Sequence, residues 1–100
     1  MLFRSQVPHR MKVVFTDPAL EDIEAIRTYI TARYPHISLS VERRFRLIFA
    51  RIGAWPESAQ RIVERPDVRM GPLVRYPYKI FYRIKTDVVE ILHIHHSSRE

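Results

Sequence analysis

One hundred residues, 46% of them hydrophobic and 28% charged, make one globular domain with a small core and exclude both a disordered chain and a multidomain one. The absence of cysteine excludes a disulfide scaffold and a thiolate metal site, and makes a reducing cytoplasm the expected setting. Seventeen Lys and Arg against eleven Asp and Glu give a net charge of +6, which points to an anionic partner, either nucleic acid or an acidic protein segment, unless the basic surface is merely solvated.

The first ten residues, MLFRSQVPHR, are basic but carry no apolar h-region of a signal peptide. Met11 opens MKVVFTDPAL in the manner of a domain start. Residues 1–10 are therefore expected to be a disordered extension, and residues 11–100 a single domain. No apolar run approaches the roughly 18 residues that span a bilayer, so no membrane partner is expected. KVVFT (12–16) is a short β-rich run. Asp17 can cap a helix whose first position suits Pro18, with acids crowding its first turns. Leu20, Ile23, Ile26, Ile30 and Tyr34 fall on one stripe, and Pro35 ends the helix.

A second helix is predicted from about Ile37 to Ile52. Its core stripe is Val41, Phe45, Ile48, Ile52 and Trp55, and Gly53 and Pro56 mark its stop. The two helices, joined by PHIS, read as a hairpin. Charge is polarised along them: Asp17, Glu21, Asp22 and Glu24 sit together, while residues 25–56 hold six arginines and only Glu42 as an acid in the stretch before Pro56. Residues 56–68 read as a loop with room for one helical turn, and VRMGPLV holds a short strand. Tyr78–Lys85 and Val88–His96 then form a β-hairpin. The order β-α-α-β-β-β gives an α+β fold, with the helical hairpin on one side of a small, mostly antiparallel twisted sheet.

A three-residue turn Lys85-Thr86-Asp87 would pair Ile84 with Val88. One face of the hairpin would then carry Tyr78, Ile80, Tyr82, Ile84, Val88, Leu92 and Ile94, with Glu90 opposite Tyr82, as the core. The other would carry Lys79, Phe81, Arg83, Val89, Ile91, His93 and His95. Whatever the register, Lys79 shares a face with Arg83. His93 likewise shares one with His95, about 7 Å away at roughly 3.4 Å per residue, and His96 points the other way.

Four readings of that second face compete. It can be an ordinary half-exposed sheet face with Lys and Arg lying over Phe81 and Ile91. His-x-His can be a metal pair, but it needs a third ligand, and the neighbouring cations oppose a dication; no metal or other cofactor is expected. A pair of imidazoles can supply the acid and base of RNA cleavage through the 2′-hydroxyl, with Lys79, Arg83 and Arg99 stabilising the charge. An apolar strip rimmed by cations also suits an acidic amphipathic peptide.

VVFTDPALEDIEAIRTYI, AWPES and RYPYKIFYRIKTDVVEILHIHHSSR, in the β-α-α-β-β-β order, resemble the RelE/ParE superfamily of bacterial type II toxins over residues 11–99. The most specific piece is Pro77 to Arg83 followed by the VEIL strand. The resemblance implies a toxin-like domain encoded beside an antitoxin that binds operator DNA and neutralises the toxin with an acidic amphipathic segment. A hetero-oligomer, with a 2:2 stoichiometry, is expected on the same ground. RelE-like members cut mRNA on the ribosome without metal; ParE-like members block DNA gyrase. A basic residue at Lys79 and one near Arg99 fit the nuclease pattern. The ending HHSSRE without a tail tyrosine is nearer the ParE-like branch.

Gyrase inhibition is thus expected, with a ribosome-dependent mRNA endonuclease and a non-toxic antitoxin-binding subunit as alternatives. Lys79, Arg83, His95, His96 and Arg99 are the catalytic candidates for the nuclease. Lys79, Phe81, Arg83, Ile91, His93, His95 and Arg99 are the candidates for contact with antitoxin or target.

Overall fold

The computed structural model describes residues 10–97. Residues 1–9 of the expected extension and the candidate Arg99 lie outside them. The elements are β1 (Lys12–Phe15), α1 (Asp17–Arg33), α2 (Ser38–Ala54), β2 (Gln60–Arg61), β3 (Val68–Pro72), β4 (Tyr78–Ile84) and β5 (Val88–His96), with 3-10 turns at Pro35–Ile37 and Pro56–Ser58. The sheet order is β1-β5-β4-β3-β2. Only the β1–β5 pairing is parallel; the others are antiparallel. This is the expected α+β arrangement with one addition, since the loop over residues 56–68 contains the two-residue strand β2.

The helix cap differs from expectation. Thr16, not Asp17, is the N-cap: its hydroxyl accepts from the Ala19 N–H at 3.2 Å. The same oxygen lies 3.0 Å from the carbonyls of Ile91 and Leu92, to which its proton is shared. One threonine thus starts α1 and ties it to β5. Asp17 supplies the acid of the first turn and Pro18 stands where no N–H is needed.

The core lies between the helices and one face of the sheet. Ala19 and Ile52 meet Tyr78, Ile80, Tyr82, Val89, Ile91 and Ile94, with Ile23, Ile26, Phe45, Ile48 and Phe49 packed around them. Phe49 meets Phe15 edge-on at 4.9 Å and stacks near Phe45, which in turn leans on Tyr78. Three residues of the expected stripes are not core: Leu20, Tyr34 and Trp55 are exposed. Tyr34 and Trp55 are the C-cap residues of α1 and α2, whereas Leu20 stands one position off a stripe that begins at the fully buried Ala19 and continues through Ile23, Ile26 and Ile30.

Gly53 is inside α2 and does not have positive φ, so it is not a stop signal. A Cβ there would stand 3.0 Å from the Met11 carbonyl oxygen and 3.1 Å from Val13 Cγ2. Its role is the close approach of α2 to β1, sealed by the Met11 N–H donating to the Gly53 carbonyl at 2.9 Å.

The hairpin register also differs. Ile84 pairs with Val89, not Val88, and the Lys85 N–H donates to the Val88 carbonyl at 2.8 Å around a two-residue tip, Thr86-Asp87. From there Arg83 pairs with Glu90 and Tyr82 with Ile91. A β-bulge then skips Leu92, so that Phe81 pairs with His93, Ile80 with Ile94 and Lys79 with His95. Val89 and Ile91, expected on the outer face, are therefore fully buried in the core, while Val88 and Leu92, expected in the core, are only partly buried. The shorter turn moves Val88 to Leu92 onto the opposite faces from those expected, and the extra residue at the bulge returns His93, Ile94 and His95 to the expected ones.

Candidate functional site

The sheet face turned away from the helices is built on β4 and β5. Alternation along β4 puts Lys79, Phe81 and Arg83 there, between the buried Tyr78, Ile80 and Tyr82. Beyond the bulge β5 adds His93 and His95, both exposed. The Phe81 ring lies 5.1 Å from that of His95, and His95 lies 5.3 Å from His93. Beside this row an open depression of about 420 Å³ runs between Thr16 and Pro18 on one side and Ile62, Arg65 and Val68 on the other, floored by Phe81, Arg83, Leu92 and His93.

The structure brings four of the predicted residues together: Lys79, Phe81, His93 and His95. It separates the others. Ile91 is in the core and offers no contact surface. His96 faces the helices, its ring edge-on to Tyr78 at 5.4 Å. Arg83 is on the outer face but committed: Nη2 donates to Glu90 Oε1 at 2.8 Å, and Nη1 is 3.8 Å from Asp67. The hydrogen bond to Glu90 raises the guanidinium pKa, and its reciprocal holds the Glu90 carboxyl below the usual glutamate range. Arg83 Nε is buried without a hydrogen-bond partner among the described residues.

On the core side, burial pushes the Tyr82 phenol pKa up against the opposing charge of Arg69, and the hydroxyl donates to the Pro56 carbonyl at 2.6 Å. The phenol thus fastens the segment after α2 to the sheet.

Two features were missed from the sequence. The first is Asp22. Past the end of β1, β5 has no strand on that side, and the Asp22 carboxylate takes its place: Oδ2 accepts from the Ile94 N–H at 2.9 Å and lies 3.2 Å from His93 Nδ1. The signal was available, because Asp22 stands four residues before Ile26 and eight before Ile30, at the edge of the apolar stripe.

The second is the outer side of α2. Leu39, Arg43 and Leu47 follow one another at four-residue steps. Leu39 and Leu47 are exposed, as is Val74 in the β3–β4 turn. Arg44, Arg51, Arg75 and Tyr76 line shallow depressions around Leu47. Among the described residues none of Arg43, Arg44, Arg51 and Arg75 forms an ion pair, whereas Arg27 and Arg46, on the other flank, are paired with Glu42. Among the described residues Arg75 is also the one non-glycine residue with positive φ, 83°, a left-handed conformation that carries strain at an exposed cation.

Among the described residues no helix is long and apolar enough to cross a membrane. The family model described as ParE toxin of the type II toxin–antitoxin system parDE matches residues 13–100. In three dimensions the chain is similar to a chain of the chromosomal ParDE toxin–antitoxin system from P. aeruginosa, with a TM-score of 0.75, 26% identity, and coverage of 88% of this chain and 97% of that one. No curated protein matches the sequence.

Proposed function

The chain belongs to the ParE toxin family of type II toxin–antitoxin systems, and from that premise we propose that it arrests growth by inhibiting DNA gyrase and is neutralised by a cognate antitoxin. The observation that carries the gyrase reading is the match to the ParE family over residues 13–100. The arrangement of the nuclease candidates supports it. Metal-free RNA cleavage would need a base, an acid and free positive charge around one phosphate. Arg83 is engaged by Glu90, and His96 lies on the opposite face from His95.

Lys79, Phe81, His93 and His95 form the surface that meets the target. The antitoxin segment docks on the outer side of α2, where Leu39 and Leu47 receive its apolar side chains and Arg43, Arg44 and Arg75 receive its acids. The neighbouring ParDE structure is that of a toxin–antitoxin system, which favours a partner of this kind.

The test is a DNA supercoiling assay with purified gyrase, run beside expression of the toxin alone. The expected result is loss of supercoiling, with DNA damage in arrested cells. Normal supercoiling together with cut transcripts would replace this reading with the endonuclease. Harmless expression together with tight antitoxin binding would leave only a regulatory subunit. The two surfaces separate by mutation: Phe81→Ala with His95→Ala should remove toxicity and spare antitoxin binding, and Leu47→Asp should do the reverse.

A further inference from the structure

We propose that Asp22, His93 and His95 form a site for a zinc-class divalent cation on the outer face, a function additional to the target contacts assigned to His93 and His95 above. One ligand atom from each residue lies within 4.8 Å of the other two. Around a tetrahedral ion with bonds of about 2.0–2.1 Å, neighbouring ligand atoms stand about 3.3 Å apart. The Asp22 Oδ2 to His93 Nδ1 distance is already 3.2 Å. His95, whose ligand atom lies within 4.8 Å of the other two, is exposed, so its side chain is free to turn toward the ion.

The supports of the site are in place. His93 and His95 are fixed on one face by ladder pairing with Phe81 and Lys79. Asp22 is oriented by the Ile94 N–H at 2.9 Å, the kind of supporting bond that holds a metal-binding carboxylate in aim. The carboxylate has a second oxygen to offer.

The objection raised by nearby cations is weaker in three dimensions than in sequence. Arg83 is neutralised by Glu90, and α1 sets the Asp22 carboxylate directly against His93. Lys79, paired with His95 across the ladder, and Arg65, which lines the depression beside His93, are the cations that oppose the ion. Two imidazoles and one carboxylate select Zn²⁺ or Co²⁺ over Mg²⁺ and Ca²⁺, which prefer oxygen ligands alone. Three protein ligands leave a coordination position for water.

The experiment is a titration of tag-free protein with Co²⁺, followed by its visible absorption, then displacement by Zn²⁺. The histidine ring resonances are recorded by NMR in parallel. The expected result is one ion per chain, with the His93 and His95 rings shifted and that of His36 unmoved. His95→Ala and Asp22→Asn should each weaken binding at least about tenfold, the lower end of what loss of a mere supporting partner brings; His36→Ala should not change it. Should Asp22→Asn fail to fold, His95→Ala decides alone, because His95 is exposed. Absence of binding, or binding unchanged in His95→Ala, overturns the site.

Discussion

Arg83 shows how much of a side chain's availability is settled by its neighbours. From the alternation of β4 alone it is a cation on an open face. Opposite Glu90 it becomes half of a clamp whose other half is a carboxyl held below its usual range by the arginine's hydrogen bond. A carboxyl with a lowered folded-state pKa stabilises the fold above its ordinary value and loses that contribution as pH falls through the lowered one. Acid unfolding of the wild type and of Glu90→Gln should therefore differ above pH 4.5, the ordinary glutamate value, and converge in stronger acid. A gap that persists in strong acid would mean that the substitution acts through packing and not through charge. Ile91 and Asp22 show the converse. One was expected to touch a partner and is core; the other was read only as helix-start acid and instead completes the edge of β5.

The two helices were legible because 3.6-residue periodicity survives wherever a helix is half-covered, and Pro18 and Pro35 punctuate it. The cap was not: Thr16 and Asp17 are both good caps, and the choice is made by the Ile91 and Leu92 carbonyls, which are remote in sequence. Gly53 was read as a stop from residue type, yet its reason is the backbone of β1 at its side. Replacing it with alanine sets two effects against each other. Helix propensity favours Gly53→Ala by about 1 kcal/mol, whereas forcing a methyl against a close-packed backbone costs about 1–3 kcal/mol. Met11 is held to Gly53 by its own N–H and leads directly into the β1 ladder, so its carbonyl yields little and urea unfolding should show a net loss of about 1 kcal/mol. A more stable variant would show that β1 moves aside. The histidine pair was legible for a different reason: His93 and His95 share a face in any register, so an error in the turn left them together while misplacing Val89 and Ile91.

At the scale of the molecule, charge is distributed by surface. Asp22 of α1 borders the histidine row, and Arg43, Arg44, Arg51 and Arg75 gather on the outer side of α2 and the adjoining turn. If an acidic antitoxin segment docks there, its affinity should fall by roughly tenfold or more from about 0.1 to 1 M salt, as the Debye length contracts from about 10 to 3 Å; calorimetry across that range checks it, and a flat response would assign the complex to apolar burial alone. The two halves of the last hairpin serve these surfaces through one added amino acid. Were β5 to continue from Ile91 in unbroken register, Leu92 would lie outside, both solvent-facing imidazoles would turn beneath α1, and Ile94 would be left in water. Leu92 thus acts on the pleat as a single-base insertion acts on a reading frame, and everything downstream is translated onto the opposite side. Substitution at this position keeps the count and therefore the register. Deletion restores a regular ladder but removes one of the two carbonyls that anchor Thr16, and the cost would be felt where α1 begins.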